Sequence, residues 1–271
     1  MKRWVIAVLA LWLTLPVRAE DEAQIQKERL ALFFGHDDRI NIPAPYAAPY
    51  NAIGRLEVKS GGTCTATLIA PDLAITAAHC FLMTPRKIDA GRWFMAGFHD
   101  GKYQARYQVT GQVFHPKFRQ GLRYEGDDVY IEPSAAPYDI AVMKLKLKDG
   151  QAPEPMPFFQ GSRKQLMQTI LRAEQQINQG GFAEDHDTIL SAHLGCTLTQ
   201  LRRNGTIFHR CDTLSGDSGS PIWLDLPTGP TLIAVQSSAP DWFNRKLADN
   251  VGVTVLQLPP AARKLMKNTG Q

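Results

Sequence analysis

Short runs of branched and apolar residues, each closed by Gly, Pro or Asp, recur through most of the chain and constrain its fold most. In the first half Ile53 to Val58, Thr63 to Ala70, Leu73 to Thr76, Tyr103 to Val113 and Ile140 to Lys146 read as strands. Ile140 to Lys146 passes from continuous apolar sequence to alternation, as a strand leaving a core does. In the second half Thr188 to Thr199, Thr206 to Cys211, Pro221 to Asp225 and Thr231 to Ser237 follow the same pattern. The class is all-β. No strand–helix–strand repeat with a Gly-rich turn is present, which argues against a dinucleotide or P-loop fold. Pro153, Pro155 and Pro157 mark a joint between two halves. Residues 162–177 score as helix by composition and as strand by position. Ala261 to Lys267 reads as a helix with basic residues late, where the helix dipole favours them.

The N-terminus is a targeting segment. Lys2 and Arg3 precede an apolar run from Trp4 to Leu15, Pro16 breaks it, and Val17-Arg18-Ala19 supplies a cleavage site. The run is shorter than the roughly 20 residues a membrane span needs, and no later run reaches that length. Cleavage after Ala19 removes three cations and lowers the formal net charge from +4 to +1. So nearly neutral a chain has no global basic field for nucleic acid or anionic lipid. Residues 20–35 are charged and helix-permissive, as a propeptide or N-terminal arm would be. Pro43, Pro45 and Pro49 make residues 39–50 an extended surface strap rather than a paired strand. In an exported chain Cys64, Cys80, Cys196 and Cys211 point to two disulfides. Three pairings are open. The nearest-neighbour pairs are favoured by their place on adjacent short strands. A zinc site using His193 and His209 with Cys196 and Cys211 is disfavoured by the oxidising compartment and the absence of a tight CxxC knuckle.

Acyl transfer needs a nucleophile, a base, a group to orient the base and donors for the developing oxyanion. Ser218 in Gly216-Asp217-Ser218-Gly219-Ser220-Pro221 is the candidate nucleophile. Its flanking glycines allow a sharp turn and a close approach of substrate to main-chain N–H groups, those of Gly216 and Ser218 being the expected oxyanion donors. His79 in Thr76-Ala77-Ala78-His79-Cys80 is the candidate base, held by the backbone on both sides. The other six histidines lack such a frame, and His115 in His115-Pro116-Lys117 suits a loop role. Asp139 opens the apolar run Ile140-Ala141-Val142. A carboxylate buried there requires a hydrogen-bonded partner, and it is the candidate orienting acid, although a strand cap looks much the same locally.

On these three motifs, in this order, the chain resembles the chymotrypsin-like serine peptidases, nearest to the bacterial glutamyl-endopeptidase (V8-like) branch. The resemblance runs from about residue 36 to 260 and is poor over 117–136 and 150–177, which read as lineage-specific loops. It implies two six-stranded antiparallel β-barrels with a short C-terminal helix, and roles of base, orienting acid and nucleophile for His79, Asp139 and Ser218. It also implies a disulfide between Cys64 and Cys80. The organisation that follows is a signal peptide at 1–19, an arm or propeptide at 20–35, a first barrel at 36–152, and a second barrel with the helix at 153–271.

The resemblance places primary specificity six residues before the nucleophile, at Asp212, where a carboxylate favours Arg or Lys in the substrate. Glutamyl specificity relies on a histidine at the position that here falls near Gln236, which supplies no positive charge. Ser237 and Ser238 stand where the wall strand pairs with substrate backbone, and Ala239 replaces the usual Gly. Asp217 matches the carboxylate that pairs with a freed N-terminus after zymogen cleavage. Arg29-Leu30 and Arg39-Ile40 are the two basic-then-aliphatic bonds in reach, the first being the better candidate for an activation cut. The expectation is an exported, periplasmic or secreted serine endopeptidase, monomeric, without metal or organic cofactor, acting on peptide or protein substrates. The alternatives are a catalytically silent binding protein on the same fold and a glutamyl-specific enzyme.

Overall fold

The computed structural model describes residues 17–83 and 87–268. Twelve strands make two closed six-stranded antiparallel barrels. The first holds β1 (Ile53–Val58), β2 (Thr63–Ala70), β3 (Leu73–Thr76), β4 (Gly91–Ala96), β5 (Ala105–Phe114) and β6 (Ala141–Gly150). The second holds β7 (Gln176–Gly181), β8 (Ser191–Leu201), β9 (Thr206–His209), β10 (Pro221–Leu226), β11 (Gly229–Ser238) and β12 (Asn250–Thr254). Around the first wall the order is β1-β2-β3-β6-β5-β4, and around the second β7-β8-β9-β12-β11-β10. The two circuits are the same, strand for strand.

Branched and aromatic residues fill both interiors. Ile53, Leu56, Leu68, Ile75, Phe94, Tyr107 and Val142 are fully buried in the first, and Ile177, Ile207, Ile222, Leu224 and Ile233 in the second. Each such side chain contributes about 1.5–3 kcal/mol relative to exposure. The larger cluster does not stop at the first barrel, because Phe182, Trp223, Leu232 and Val235 from the second half pack into it. β1 and β4 approach closely at Gly54, where a Cβ would lie 2.2 Å from the Met95 carbonyl oxygen.

Outside the barrels, α1 (Val17–Leu32) lies on the short turn Trp242–Asn244, and its Arg29 pairs with Asp185. Residues 1–16 of the expected signal segment lie outside the described residues. Among the described residues no helix is long and apolar enough to cross a membrane. Residues 162–177 contain both elements. Ser162 and Gln165 form a capping box that starts α2 (Arg163–Arg172), and Leu166 and Ile170, one turn apart, bury against the second core. Glu174 and Gln175, at φ 51° and 60°, then turn the chain into β7. Helix α3 (Pro260–Asn268) closes the chain.

The Pro-rich strap differs from its expectation. Ile40 and Asn41 pair antiparallel with Ala192 and Ser191 of β8, and Ile42 and Tyr46 are buried. The prolines begin only at Pro43, so nothing prevents residues 40 and 41 from joining the sheet edge. This segment, N-terminal to the first barrel, thus clasps the second.

Candidate active site

His79 follows β3 on the short turn Ala78–Phe81, with Ala77 and Ala78 fully buried beneath it. The next residue, Cys80, is bonded to Cys64 on β2, and Cys196 on β8 is bonded to Cys211. The nearest-neighbour pairing holds for both, which removes both cysteines from the zinc alternative. Asp139 emerges from the turn Ala136–Tyr138 and is 2% exposed. Its Oδ1 accepts the His79 main-chain N–H at 2.7 Å, and its Oδ2 faces His79 Nδ1 at 2.7 Å. The carboxylate therefore keeps the ring proton on Nδ1 and leaves Nε2 free to accept. Ser218 Oγ lies 2.8 Å from that Nε2. The structure brings the three side chains into one hydrogen-bonded line, two from the first barrel and one from the second.

Burial opposes charge on His79, but the charge and hydrogen bond of Asp139 outweigh it and hold the imidazole pKa above its ordinary 6.5. Burial would likewise raise the Asp139 pKa. The charge and hydrogen bonds of His79 and the hydroxyl of Ser237 prevail and hold it low. Ser237, expected at the substrate strand, donates its Oγ proton to Asp139 Oδ2 at 2.6 Å. Ser237 and Ser238 also line a cleft of about 510 Å³ beside His79, walled by Val129 and Ile131 of the hairpin 122–131.

The loop that carries Ser218 is fastened to the first barrel through Thr65, a fully buried residue of β2 that sequence reasoning passed over. Its main-chain N–H donates to Ser218 O at 3.0 Å, and its hydroxyl donates to Gly216 O at 3.0 Å and accepts from Phe182 N at 3.0 Å. Its own carbonyl accepts from Thr76 Oγ1 at 2.7 Å. A β-branched strand residue reads as packing, and no local signal marks this use. Gly216 has φ +92°, and a Cβ there would meet the Phe182 carbonyl at 2.4 Å. Among the described residues the N–H groups of Gly216 and Ser218 make no hydrogen bond within the chain.

Asp212 is 3% exposed. Its Oδ2 accepts the Asp38 N–H at 2.7 Å and lies 3.1 Å from His193 Nδ1. The N-terminal segment therefore covers the carboxylate. Asp217 is buried too, accepting at 3.1 Å from both Leu214 N and Thr213 Oγ1, and burial pushes its pKa up to about 6. Arg39 is fixed by Asp37 and Asp185, and its charge acts against that rise. His115 caps the helix Pro116–Gln120 and stacks on Tyr138. Gln236 accepts from His209 at 2.8 Å, and burial pulls the His209 pKa down to about 4.

A family model described as a trypsin-like peptidase domain matches residues 64–229. Scolexin B of Heliothis virescens is 30% identical over 154 residues, 55% of this chain and 49% of that protein. Spermosin of Halocynthia roretzi is 34% identical over 109 residues, 38% of this chain and 26% of that protein. The chain thus spans half or less of the length of these relatives. The solved structure of a Glu endopeptidase in complex with MPD aligns with a TM-score of 0.64 at 21% identity, covering 88% of this chain and 99% of that one. At that identity the likeness is one of fold.

Proposed function

We propose, from the premise that this chain belongs to the trypsin-like peptidase family, that it is a serine endopeptidase working through His79, Asp139 and Ser218. The observation that carries this reading is the continuous line from Asp139 Oδ2 through His79 to Ser218 Oγ, with both links under 3 Å. Ser218 Oγ attacks the substrate carbonyl carbon while its proton passes to His79 Nε2. Asp139 keeps the ring oriented and stabilises the imidazolium. The oxyanion is received by the N–H groups of Gly216 and Ser218, which among the described residues have no internal acceptor and cost no prior bond to recruit. His79 then gives the proton to the leaving amine, and water repeats the sequence on the acyl-enzyme.

Export belongs to the same proposal, supported by the signal-like N-terminus and two disulfides. So does the division into an arm at 20–35 and barrels at 36–152 and 153–271. Selection of Arg or Lys by Asp212 is proposed for a form in which residues 36–39 have withdrawn, since the Asp38 N–H now occupies the carboxylate. The glutamyl alternative is disfavoured because Gln236, near the position where that specificity relies on a histidine, supplies no cation, and burial holds its partner His209 at a pKa of about 4. A silent binding protein would not need the hydrogen-bonded line.

A fluorophosphonate probe tests the reading. Labelling of wild-type protein, lost in Ser218→Ala, is expected. An unreactive Ser218 in the chain as made, and also after cutting at Arg29-Leu30 or Arg39-Ile40, overturns it in favour of the binding module.

A further inference from the structure

A groove of about 1100 Å³ lies between α1 and residues 242–249 of the second barrel. Its lining carries five cations, Lys27, Arg202, Arg210, Arg245 and Lys246, against a single carboxylate, Asp249. That carboxylate is already engaged, accepting from Thr199 Oγ1 at 2.6 Å and Arg210 Nε at 3.0 Å. The imbalance is local, because the chain without its first 19 residues has a formal net charge of +1.

Arg245 is the most telling of the five. It is 4% exposed, yet its Nε and Nη2 have no hydrogen-bond partner, while Nη1 donates to Asn250 Oδ1 at 2.5 Å. The ring of Phe34 lies 4.5 Å over its guanidinium. Burying a guanidinium with two empty donor nitrogens is costly, and the wall of the groove holds this positive charge in spite of that cost. Burial pulls its pKa down to about 10, against the opposing charges of Asp249 and Asp212. Along the same groove Trp242, Phe243 and Leu247 are 41%, 62% and 84% exposed. Aromatic surface beside an excess of cations is the composition of a recognition patch rather than of an ordinary solvated face.

We infer that this groove docks an acidic peptide segment carrying apolar residues. Its concavity suits a chain, its charge suits carboxylates, and its aromatic rim suits apolar side chains set between them. The groove shares no lining residue with the cleft beside His79, so binding there is separable from cleavage.

The test uses the full Ser218→Ala chain, which cannot cut its ligand, and a fluorescein-labelled peptide of alternating Glu and Leu. Anisotropy is expected to show saturable binding that weakens as salt screens the charges. Arg202→Glu with Lys246→Glu is expected to weaken it by about 10-fold or more. A peptide with Gln for Glu is expected not to bind. Lys27→Gln with Lys246→Gln, both on exposed side chains, serves if the first pair melts early, and is expected to weaken binding in the same direction. No binding of the acidic peptide, equal binding of the Gln peptide, or unchanged binding in a folded variant pair overturns the inference. Binding to anionic lipid vesicles without binding to the peptide also overturns it and makes the patch a membrane surface. Because the serine is absent throughout, none of these outcomes bears on the fluorophosphonate result.

Discussion

Replacing Thr65 by Val should damage both the stability and the chemistry of the protein, although Thr65 touches no substrate. Valine has nearly the same shape, so the change removes a hydroxyl and little else. Two groups then lose their partner at once: Gly216 O, which accepts at 3.0 Å, and Phe182 N, which donates at 3.0 Å. Each buried polar group left alone costs about 1–3 kcal/mol, so the pair costs about 2–6 kcal/mol. At about 2–4 °C per kcal/mol for a chain of this size, the melting temperature should fall by on the order of 10 °C. Gly216 also carries, on the N–H one Cα away from that freed carbonyl, one of the two proposed oxyanion donors. Complete loss of such a donor costs about 10²–10³ in kcat, and partial misplacement should cost about 10-fold with KM little changed. Differential scanning calorimetry and steady-state kinetics read the two effects, with Thr65→Ser, which keeps the hydroxyl, as the control close to wild type. A valine variant that melts and turns over like the wild type would refute the claim that this hydroxyl positions the nucleophile loop.

His79 must be neutral to accept a proton, and Asp139 holds its pKa above 6.5, so kcat/KM should rise with pH through a midpoint above that value. In Asp139→Asn the midpoint should move down and kcat fall by about 10⁴, and an unmoved midpoint would count against the assignment. Stability should carry two opposed pH dependences. Unfolded His209 takes a proton near 6.5 and folded His209 near 4, so its contribution is present above 6.5 and is lost as pH falls through 4. Asp217 does the reverse, since its folded pKa of about 6 exceeds 3.8 and its contribution is lost as pH rises through 6. Each amounts to about 3 kcal/mol, so they nearly cancel between pH 4 and 6. Asp217→Asn should therefore make the melting temperature fall more steeply between pH 6.5 and 4, whereas melting curves parallel to wild type would contradict this. Reduction should destabilise by about 3 kcal/mol per disulfide, given loops of 16 and 15 residues. A melting temperature indifferent to dithiothreitol would speak against it.

The strands easiest to read were those whose own residues carry the pattern. Ile53–Val58, Thr63–Ala70 and Leu73–Thr76 match their expected bounds residue for residue. Gly91–Ala96 and Asn250–Thr254 went unread. The first sets Gly and Arg before its apolar residues, and the second is interrupted by Gly252, which the close approach of Ile222 and Ile207 requires. Both become strands through the neighbours that pair with them, a tertiary effect absent from a local window. At the site, the local frames of His79, Asp139 and Ser218 were legible because each motif restrains its own backbone. Asp212 was legible as a residue but not in its surroundings, because its partner, Asp38, is 174 positions away. Arg245 looked like any loop cation, and only its burial under Phe34 distinguishes it.

The division of the hydrogen-bonded line between two barrels has a consequence for how such a protein is made. His79 and Asp139 leave the ribosome well before Ser218, and the barrel that carries Ser218 cannot close until Asn250–Thr254 has followed. A nascent chain therefore carries His79 and Asp139 for a long stretch of its synthesis before Ser218 is added. On the proposed reading it gains the power to cut polypeptide only once Asn250–Thr254 is in place and the two halves meet at Thr65. The order in which its parts arrive thus withholds the proposed activity until both barrels stand.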